Sequence, residues 1–346
     1  MPTVTLTAAG QACSFECGEG ERVLHAGLRA GLALPYECAS GTCGKCRAIR
    51  IDGAVHDLWP DAPGRAALKT ASDLLMCQSA AASDLQLSLP RMHSSCDPLL
   101  APPAHRRAVI SARRPLAADV AEITLSLDEP LVFLAGQFVL LEADGLPGPR
   151  AYSMVNYDAP AKTLRLVIRR KAGGGFSERI FADRIGEQVS VFGPLGKAVF
   201  DPRTQGDIVC IAGGSGIAGM LSIAKSALVH RHLDEHRLDL FFGVRTARDV
   251  FYADELDQLC EAGGPRLSAT VAFSEESGDA SLGGRYPFLN FESGFVHEVA
   301  LRAKGGALSH STAFLAGPPL AVDAGVRGLL TIARMPLTRI RYDKYS

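Results

Sequence analysis

The sequence predicts a multidomain chain with α+β and α/β parts: a small α+β unit, then an antiparallel β-barrel, then a doubly wound parallel sheet. Three observations predict it. Prolines collect at Pro98, Pro102 and Pro103, and proline-rich segments make semi-rigid spacers. Between there and about residue 203, short strand-like runs are punctuated by turn residues, the rhythm of an antiparallel barrel. From residue 205, short apolar runs alternate with helical patterns, which argues for a parallel sheet wound on both faces. The expected division is 1–92, a linker over 93–105, 106–203 and 204–346. A chain of 346 residues has room for that many cores.

In the first unit, Val4 to Leu6 and Ala12 to Phe15 suit a hairpin, Val23 to Ala30 a short helix, and Arg47 to Ile51 a strand. A cysteine-bearing loop lies between the last two. The barrel strands are expected at Ala121 to Leu127, Gln137 to Glu142, Ala151 to Val155, Leu164 to Arg170 and Gln188 to Phe192, with a helical stretch from Ser177 to Arg184. In the last unit, Ile208 to Ala212, Leu238 to Phe242, Leu267 to Phe273 and Ala313 to Leu315 read as strands. The first, second and fourth lead into helices at 217–230, 253–261 and 321–333, and the third into a longer Gly-rich connection.

Net charge is −1, which points neither to nucleic acid nor to an anionic membrane. No apolar run reaches the roughly 18 residues of a membrane span. The N-terminus MPTVTLTAAGQACSF lacks a basic region followed by an apolar one. A cytoplasmic location, with no membrane or nucleic-acid partner, is expected. Nine cysteines cannot all pair with one another, and in a reducing compartment clustered thiols more often bind metal.

The cluster is C-x4-C-x2-C at Cys38, Cys43 and Cys46, with Cys77 further on. Two irons and two sulfides need four thiolates, and this spacing is the plant-type 2Fe–2S pattern. The small, Gly-rich loop ASGTCGK lets backbone N–H groups approach the sulfurs. Zinc and free thiols are the other readings. Structural zinc sites usually use two short Cys pairs, whereas Cys77 stands alone in LLMCQS. With no C-x-H pair, a Rieske centre is excluded. The scattered Cys13, Cys17, Cys96, Cys210 and Cys260 read as buried small hydrophobes.

YECASGTCGKC, LWPDAPG (Leu58 to Gly64) and LMCQ together resemble the N-terminal ferredoxin domain of reductase components from bacterial oxygenases. LWPDAPG is similar to toluene monooxygenase and carbazole dioxygenase reductases in particular. The resemblance implies a β-grasp ferredoxin domain. RAYS at Arg150, Ala151, Tyr152 and Ser153 resembles the R-x-Y-S motif of ferredoxin reductases. An arginine can pair with a phosphate, a tyrosine can stack beside an isoalloxazine, and a serine hydroxyl can reach flavin N5. By itself the motif also fits an ordinary strand with a surface arginine. LRLVIRRKAGGGFS then places a basic strand end, glycines and a helix start in succession, an anion site. The family's second flavin element falls on Arg169 and on Gly174 to Ser177, and its G-P-x-G step on Gly193 to Gly196. FAD is the cofactor expected.

GGSGIAG follows the first strand of the last unit, with Gly213, Gly214 and Gly216 at the turn. The second strand ends FFGVR, without the acid that a standard dinucleotide fingerprint uses to hold the ribose. The segment is similar instead to the NAD domain of ferredoxin reductases, where such glycines let the pyrophosphate approach the backbone. Gly219 replaces the family's usual proline. The late C-G-P-P motif appears as Ala316, Gly317, Pro318 and Pro319, and losing the polarizable cysteine predicts slower hydride transfer. The ending RIRYDKYS resembles the family's aromatic-acid-aromatic close. That implies Tyr345 over the flavin face; the alternative is a surface tyrosine at a frayed end. Arg245 and Arg248 lie near the second-strand end with Asp249 beside them, so NADH is expected over NADPH.

The resemblance covers almost the whole chain. It implies an NAD(P)H-dependent oxidoreductase that moves electrons through FAD and a 2Fe–2S cluster, with Tyr152, Ser153 and Tyr345 at the flavin. The partner it implies is a terminal oxygenase or an intermediate ferredoxin, and the expected state is a monomer. No oxygen-activating motif of its own is evident. A deoxysugar dehydrase reductase shares this domain set, although LWPDAPG argues against it. A stand-alone flavin reductase needs no cluster cysteines, and a non-enzymatic metal-binding redox sensor needs neither nucleotide motif.

Overall fold

In the computed structural model, residues 1–90, 100–182, 184–276 and 280–344 are described. Strands β1 (Thr3–Ala8) and β2 (Gln11–Glu16) pair antiparallel across Ala9 and Gly10, both in the left-handed region. Val4, Leu6 and Ala8 point inward and their neighbours outward, the period-2 pattern of a half-buried strand. Helix α1 (Val23–Arg29) buries Val23, Leu24, Ala26 and Leu28. After it come β3 (Arg47–Asp52), β4 (Val55–Asp57), β5 (Asp73–Leu75), β6 (Ser79–Ala81) and β7 (Leu85–Ser88). The five-stranded sheet runs β2-β1-β7-β3-β5, with β1 and β7 parallel, and β4 pairs with β6 beside it. This is the β-grasp arrangement.

The next strands are β8 (Ala104–Ala117), β9 (Val120–Leu131), β10 (Phe138–Glu142), β11 (Arg150–Ser153), β12 (Ala161–Arg169) and β13 (Gln188–Leu195), with helix α2 (Gly175–Phe181) before the last. Their order is β11-β10-β13-β8-β9-β12. An antiparallel bridge from Met154 to Leu166 joins the two ends of that order and closes a barrel. The long β8 was not expected, and it begins at Ala104, inside the segment read as linker. Its sequence AHRRAVISARRPLA is mostly exposed, so it carries too little apolar alternation to announce a strand. Residues 91–99, the rest of that linker, lie outside the described residues, as does Cys96. The helix expected over 177–184 spans 175–181 instead.

The last sheet is parallel throughout. It contains β14 (Ile208–Gly213), β15 (Leu238–Val244), β16 (Leu267–Phe273), β17 (Leu289–Ser293), β18 (Thr312–Gly317) and β19 (Ile340–Lys344), in the order β17-β16-β15-β14-β18-β19. The helices are α3 (Ile217–Val229), α4 (Ala253–Gly263), α5 (Ala280–Arg285), α6 (Val296–Lys304) and α7 (Pro319–Thr331). Alternate residues feed two cores. Cys210, Ala212, Leu240 and Phe242 pack with α3 and α4, while Val209, Ile211, Phe241 and Leu315 pack with α6 and α7. Strands β17 and β19 extend the four expected strands to six. Both are edge strands with half-exposed polar sequence, LNFES and IRYDK, which hides the apolar run that marked the central four.

By its contacts the chain divides into two compact units, residues 1–108 with 139–151 and 188–195, and residues 109–138 with 152–187 and 196–346. No described helix is long and apolar enough to cross a membrane.

Candidate functional site

The cysteine loop joins α1 to β3. Ala39, Gly41 and Gly44 turn it in left-handed backbone. Side chains are barred at two of these places: a Cβ on Gly41 would lie 2.9 Å from the Gln78 amide, and one on Gly44 would meet Ala67 and the Gly64 carbonyl. The four thiols form two pairs. Cys46 Sγ lies 3.1 Å from Cys77 Sγ, both buried. The Cys43 thiol donates to Cys38, which favours the Cys38 thiolate; burial opposes this and Thr42 and Ser40 assist it. The same contact pushes Cys43 up. Backbone N–H groups of Ser40 and Lys45 donate to Cys38 and Cys43, each at 3.4 Å. The Gln78 amide reaches Cys77 Sγ at 3.8 Å. Among the described residues no three His, Cys, Asp or Glu side chains are placed to share one metal ion. Two thiol pairs suit two irons, each taking two thiolates, better than one zinc taking four. Cys17, Cys210 and Cys260 are buried, and burial pushes the Cys260 thiol up to about 12.

The flavin-type residues begin on β11. The Tyr152 ring lies 5.7 Å from the Phe176 ring, so two aromatic faces stand together. Ser153 is buried, and a Cβ on Gly219 of α3 would lie 3.7 Å from its Cβ. Arg150 braces its own approach: Nη1 donates to the carbonyls of Pro147, Gly148 and Pro149, each at 3.1 Å. Its guanidinium also lies over the Trp59 ring, 4.7 Å from the centroid. Arg169, at the end of β12, is paired with Asp119 at 2.7 Å on the surface. The Ser177 hydroxyl accepts from Lys171 N–H at 3.0 Å and faces the Lys171 and Gly174 carbonyls, so it closes the turn before α2. A Cβ on Gly174 would lie 2.8 Å from both the Lys171 carbonyl and the Ser177 hydroxyl.

On the parallel sheet two loops run back to back at the carboxyl ends of β14 and β18. A Cβ on Gly216 would collide with the Ala316 carbonyl. A Cβ on Gly317, itself at φ +147°, would lie 3.0 Å from the Gly213 carbonyl, and one on Gly213 would lie 3.2 Å from Pro318. Gly214 is left-handed at φ +53° and opens on nothing within 4 Å. Helix α3 begins there without a side-chain cap, leaving its first N–H groups to an anion. Ala316 is buried. At the end of β15, Arg245 is 3.4 Å from Asp249, whose carboxylate also accepts from Thr246. Tyr345 lies outside the described residues.

The sequence reading missed a buried ionic network. Glu122 of β9 accepts from Arg165 of β12 at 2.7 Å, from Arg114 at 3.3 Å and from the Tyr252 hydroxyl. Arg165 also donates to Glu255 of α4 at 2.9 Å, and Lys225 of α3 meets Glu255 at 2.6 Å and the Val155 carbonyl at 3.0 Å. Burial works against both carboxylates, yet Arg165, with Tyr252 for Glu122 and Lys225 for Glu255, holds them below their usual range. The signal was a charge inside an apolar strand run, VAEITL and TLRLVIR. Unpaired, such charges are costly.

Three family matches follow the same order along the chain. Residues 6–82 match the 2Fe-2S iron-sulfur cluster binding domain, residues 107–200 the oxidoreductase FAD-binding domain, and residues 210–320 the oxidoreductase NAD-binding domain. The chain is 35% identical to the ferredoxin–NAD(+) reductase component of an alkene monooxygenase system from Xanthobacter autotrophicus, over 96% of this chain and 98% of the relative. It is 34% identical to a ferredoxin–NAD(P)(+) reductase from Metapseudomonas resinovorans, over 95% and 96%. The solved ferredoxin reductase in carbazole 1,9a-dioxygenase superposes with a TM-score of 0.82 at 34% identity, covering 99% of this chain and 98% of that one.

Proposed function

The chain belongs to the iron–sulfur flavoprotein reductases that serve oxygenase systems, and from that membership we propose that it carries electrons from NADH through FAD and a 2Fe–2S cluster to a partner oxygenase or its ferredoxin. The observation that carries the proposal is the pairing of Cys38 with Cys43 and of Cys46 with Cys77 in the same chain as the two nucleotide-binding domains. The reaction balances as NADH and two oxidised acceptors giving NAD+, a proton and two reduced acceptors. Bound FAD would supply the change from two-electron to one-electron chemistry.

The residues divide the work. Cys38, Cys43, Cys46 and Cys77 hold the irons. Tyr152, backed by Phe176, gives the flavin ring a flat apolar wall, and Ser153 sets a hydroxyl beside it. Arg150 and Arg169 offer guanidinium groups to the FAD phosphates, with Gly174 and Ser177 shaping the turn between β12 and α2. Gly213, Gly214 and Gly216 let the NADH pyrophosphate approach the backbone at the start of α3. Gly317 and Pro318 turn the neighbouring loop past it. The domains in this reading are 1–92, 106–203 and 204–346, joined through 93–105. Support for NADH comes from Asp249, which occupies Arg245 at the place where a 2′-phosphate would need it; Arg248 is exposed beside it. The protein works as a cytoplasmic monomer and binds no nucleic acid, in keeping with its near-neutral charge.

The purified protein should hold about two irons, two acid-labile sulfides and one FAD. Steady-state kinetics should give a higher kcat/KM with NADH than with NADPH. Stoichiometric zinc without labile sulfide sinks the cluster assignment, and the reverse coenzyme ranking sinks the NADH assignment.

A further inference from the structure

The Leu58–Gly64 loop is fastened at both of its ends. On the cysteine side it touches the neighbours of the four thiols. Leu58 N–H donates to the carbonyl of Gln78, next to Cys77, at 2.8 Å. Gly64 N–H donates to the carbonyl of Gly41, between Cys38 and Cys43, also at 2.8 Å. A Cβ on Gly64 would lie 2.7 Å from that carbonyl and 2.8 Å from the N–H of Gly44, between Cys43 and Cys46. The loop is also stiff within itself. Trp59 N–H donates to Asp57 at 3.1 Å, Ala62 N–H to the Trp59 carbonyl at 3.1 Å, and Arg65 is paired with Asp57.

Its far side rests on the approach to β11. The indole of Trp59 covers Gly148, where any Cβ would strike the ring, and Gly148 stands at φ +65°, where glycine is favoured. The same indole lies under the Arg150 guanidinium, whose Nη1 the carbonyls of residues 147–149 also hold. A separate tie between the same two regions runs from the buried Arg22, before α1, to Glu142 of β10 at 2.6 Å.

We propose that the Leu58–Gly64 loop couples the cluster to the flavin strand: Trp59, clamped on Gly148 and Arg150, positions the cysteine loop so that electrons pass from flavin to cluster. Trp59 is a positioning residue: it meets Gly148 and Arg150 itself, and Leu58 and Gly64 of its loop reach Gln78 and Gly41. The inference rests on the assignment of Arg150's strand to the flavin. Each NADH brings two electrons, which cross this loop one at a time to two one-electron acceptors, and the proton goes to solvent.

The test uses the holoprotein and the variants Trp59→Ala, Trp59→Phe and Gly148→Ala. Ferricyanide draws electrons at the flavin and cytochrome c draws them beyond the cluster. Trp59→Ala should keep its iron, its FAD and its NADH–ferricyanide rate, while cytochrome c reduction falls about tenfold, the scale of a desolvated cation–π contact. Trp59→Phe keeps a ring face under Arg150 and should recover most of that loss. A readout free of turnover comes from fluorescence: Trp59 is the only tryptophan of the chain. Gly148→Ala should displace the indole and shift its emission to the red with iron and FAD retained. Unchanged cytochrome c reduction in Trp59→Ala with iron in place overturns the inference. If Trp59→Ala loses its iron, the Phe and Gly148 variants decide. A wild-type cytochrome c rate in Gly148→Ala, with its emission shifted, also overturns the inference. Wild-type protein that binds no FAD would instead overturn the reading beneath it.

Discussion

In the cysteine loop, residues 38–46 with Cys77, the sulfurs face one another and the backbone turns its N–H groups toward them. In the flavin segment, residues 150–177, the polar side chains expected to meet a ligand are already held by the protein. Ser40 and Lys45 donate to sulfur, whereas Arg150 braces three carbonyls, Arg169 pairs with Asp119, and Ser177 closes its own turn. The two regions keep their shape by different means. Thiols are weak hydrogen-bonding groups, so the loop is shaped by backbone and by glycines that admit no side chain. A guanidinium carries five N–H donors, enough to brace a loop and grip a phosphate together.

The comparison breaks most sharply at Cys77. If the cysteine loop does nothing but hold the cluster, Cys77→Ser should strip or cripple it while the flavin segment keeps working. Iron content and cytochrome c reduction should collapse, and NADH–ferricyanide activity should largely survive. Parallel loss of both activities would show that the two regions are not separable in this way.

The next effect tests how β9 and β12, the strands leading to Arg169, are held. Glu122→Ala takes the Tyr252 hydroxyl's carboxylate away and leaves Arg165 only Glu255, and removing one partner of such a network costs about 3 kcal/mol. Thermal or urea unfolding should show this as a loss confined to the oxidoreductase part, with the visible spectrum of the cluster unchanged until that part melts. The pH dependence has a definite sign. Glu122 and Glu255 are held below the carboxylate value of 4.5 in the folded chain. Their stabilisation is therefore complete above that pH and is lost as pH falls below it. Glu122→Ala should flatten this acid limb; an acid limb as steep as wild type would remove Glu122 from the explanation.

How much of this was legible follows from the range of each signal. The four cysteines were readable because three of them lie within nine residues and thiols have few other reasons to cluster. The central strands β14, β15, β16 and β18 were readable because a sheet buried on both faces needs continuous apolar runs. Strands β8, β17 and β19 were not, since each shows water a polar edge. The network at Glu122 joins residues 43 and 130 positions away, and no local pattern announces partners at that range. Trp59 was visible only as a letter within a resembling motif. Its purpose emerges from Gly148, where the left-handed turn and the indole explain each other.

A smaller effect sharpens the flavin side. The Arg169–Asp119 pair is exposed on both members, so its loss should cost under about 1 kcal/mol of stability. If Arg169 also grips an FAD phosphate, Arg169→Ala should weaken FAD binding about tenfold, the scale of a charge-assisted hydrogen bond. Asp119→Ala should leave FAD binding equal or tighter, because it releases the guanidinium. Equal FAD affinity in wild type and Arg169→Ala, measured by equilibrium dialysis, would reduce Arg169 to a surface pair.

The smallest effect concerns the outer face of the cysteine loop. Lys45 and Arg47 flank Cys46, and together they suggest a positive rim for an acidic partner. The structure separates them. Arg47 is committed to the buried carboxylate of Asp73 at 2.9 Å, so it is neither a free docking charge nor a merely solvated one. Lys45 is exposed, and among the described residues its ammonium has no partner. Docking through this face therefore rests on Lys45, and Arg47→Glu would damage the loop rather than test the contact. Residues 1–90 as a whole, these two included, are nearly balanced, nine acids against seven bases, so long-range steering should be weak. Contacts that must release after each electron are small. Lys45→Glu should slow electron delivery to the cognate oxygenase or ferredoxin a few-fold at low salt. The difference should shrink as the Debye length falls from about 30 Å at 0.01 M to about 10 Å at 0.1 M. Ferricyanide reduction should not change. Equal partner turnover by Lys45→Glu and wild type at low ionic strength would leave the cysteine loop with no charged docking contact, and its approach to the partner would then depend on shape and apolar surface.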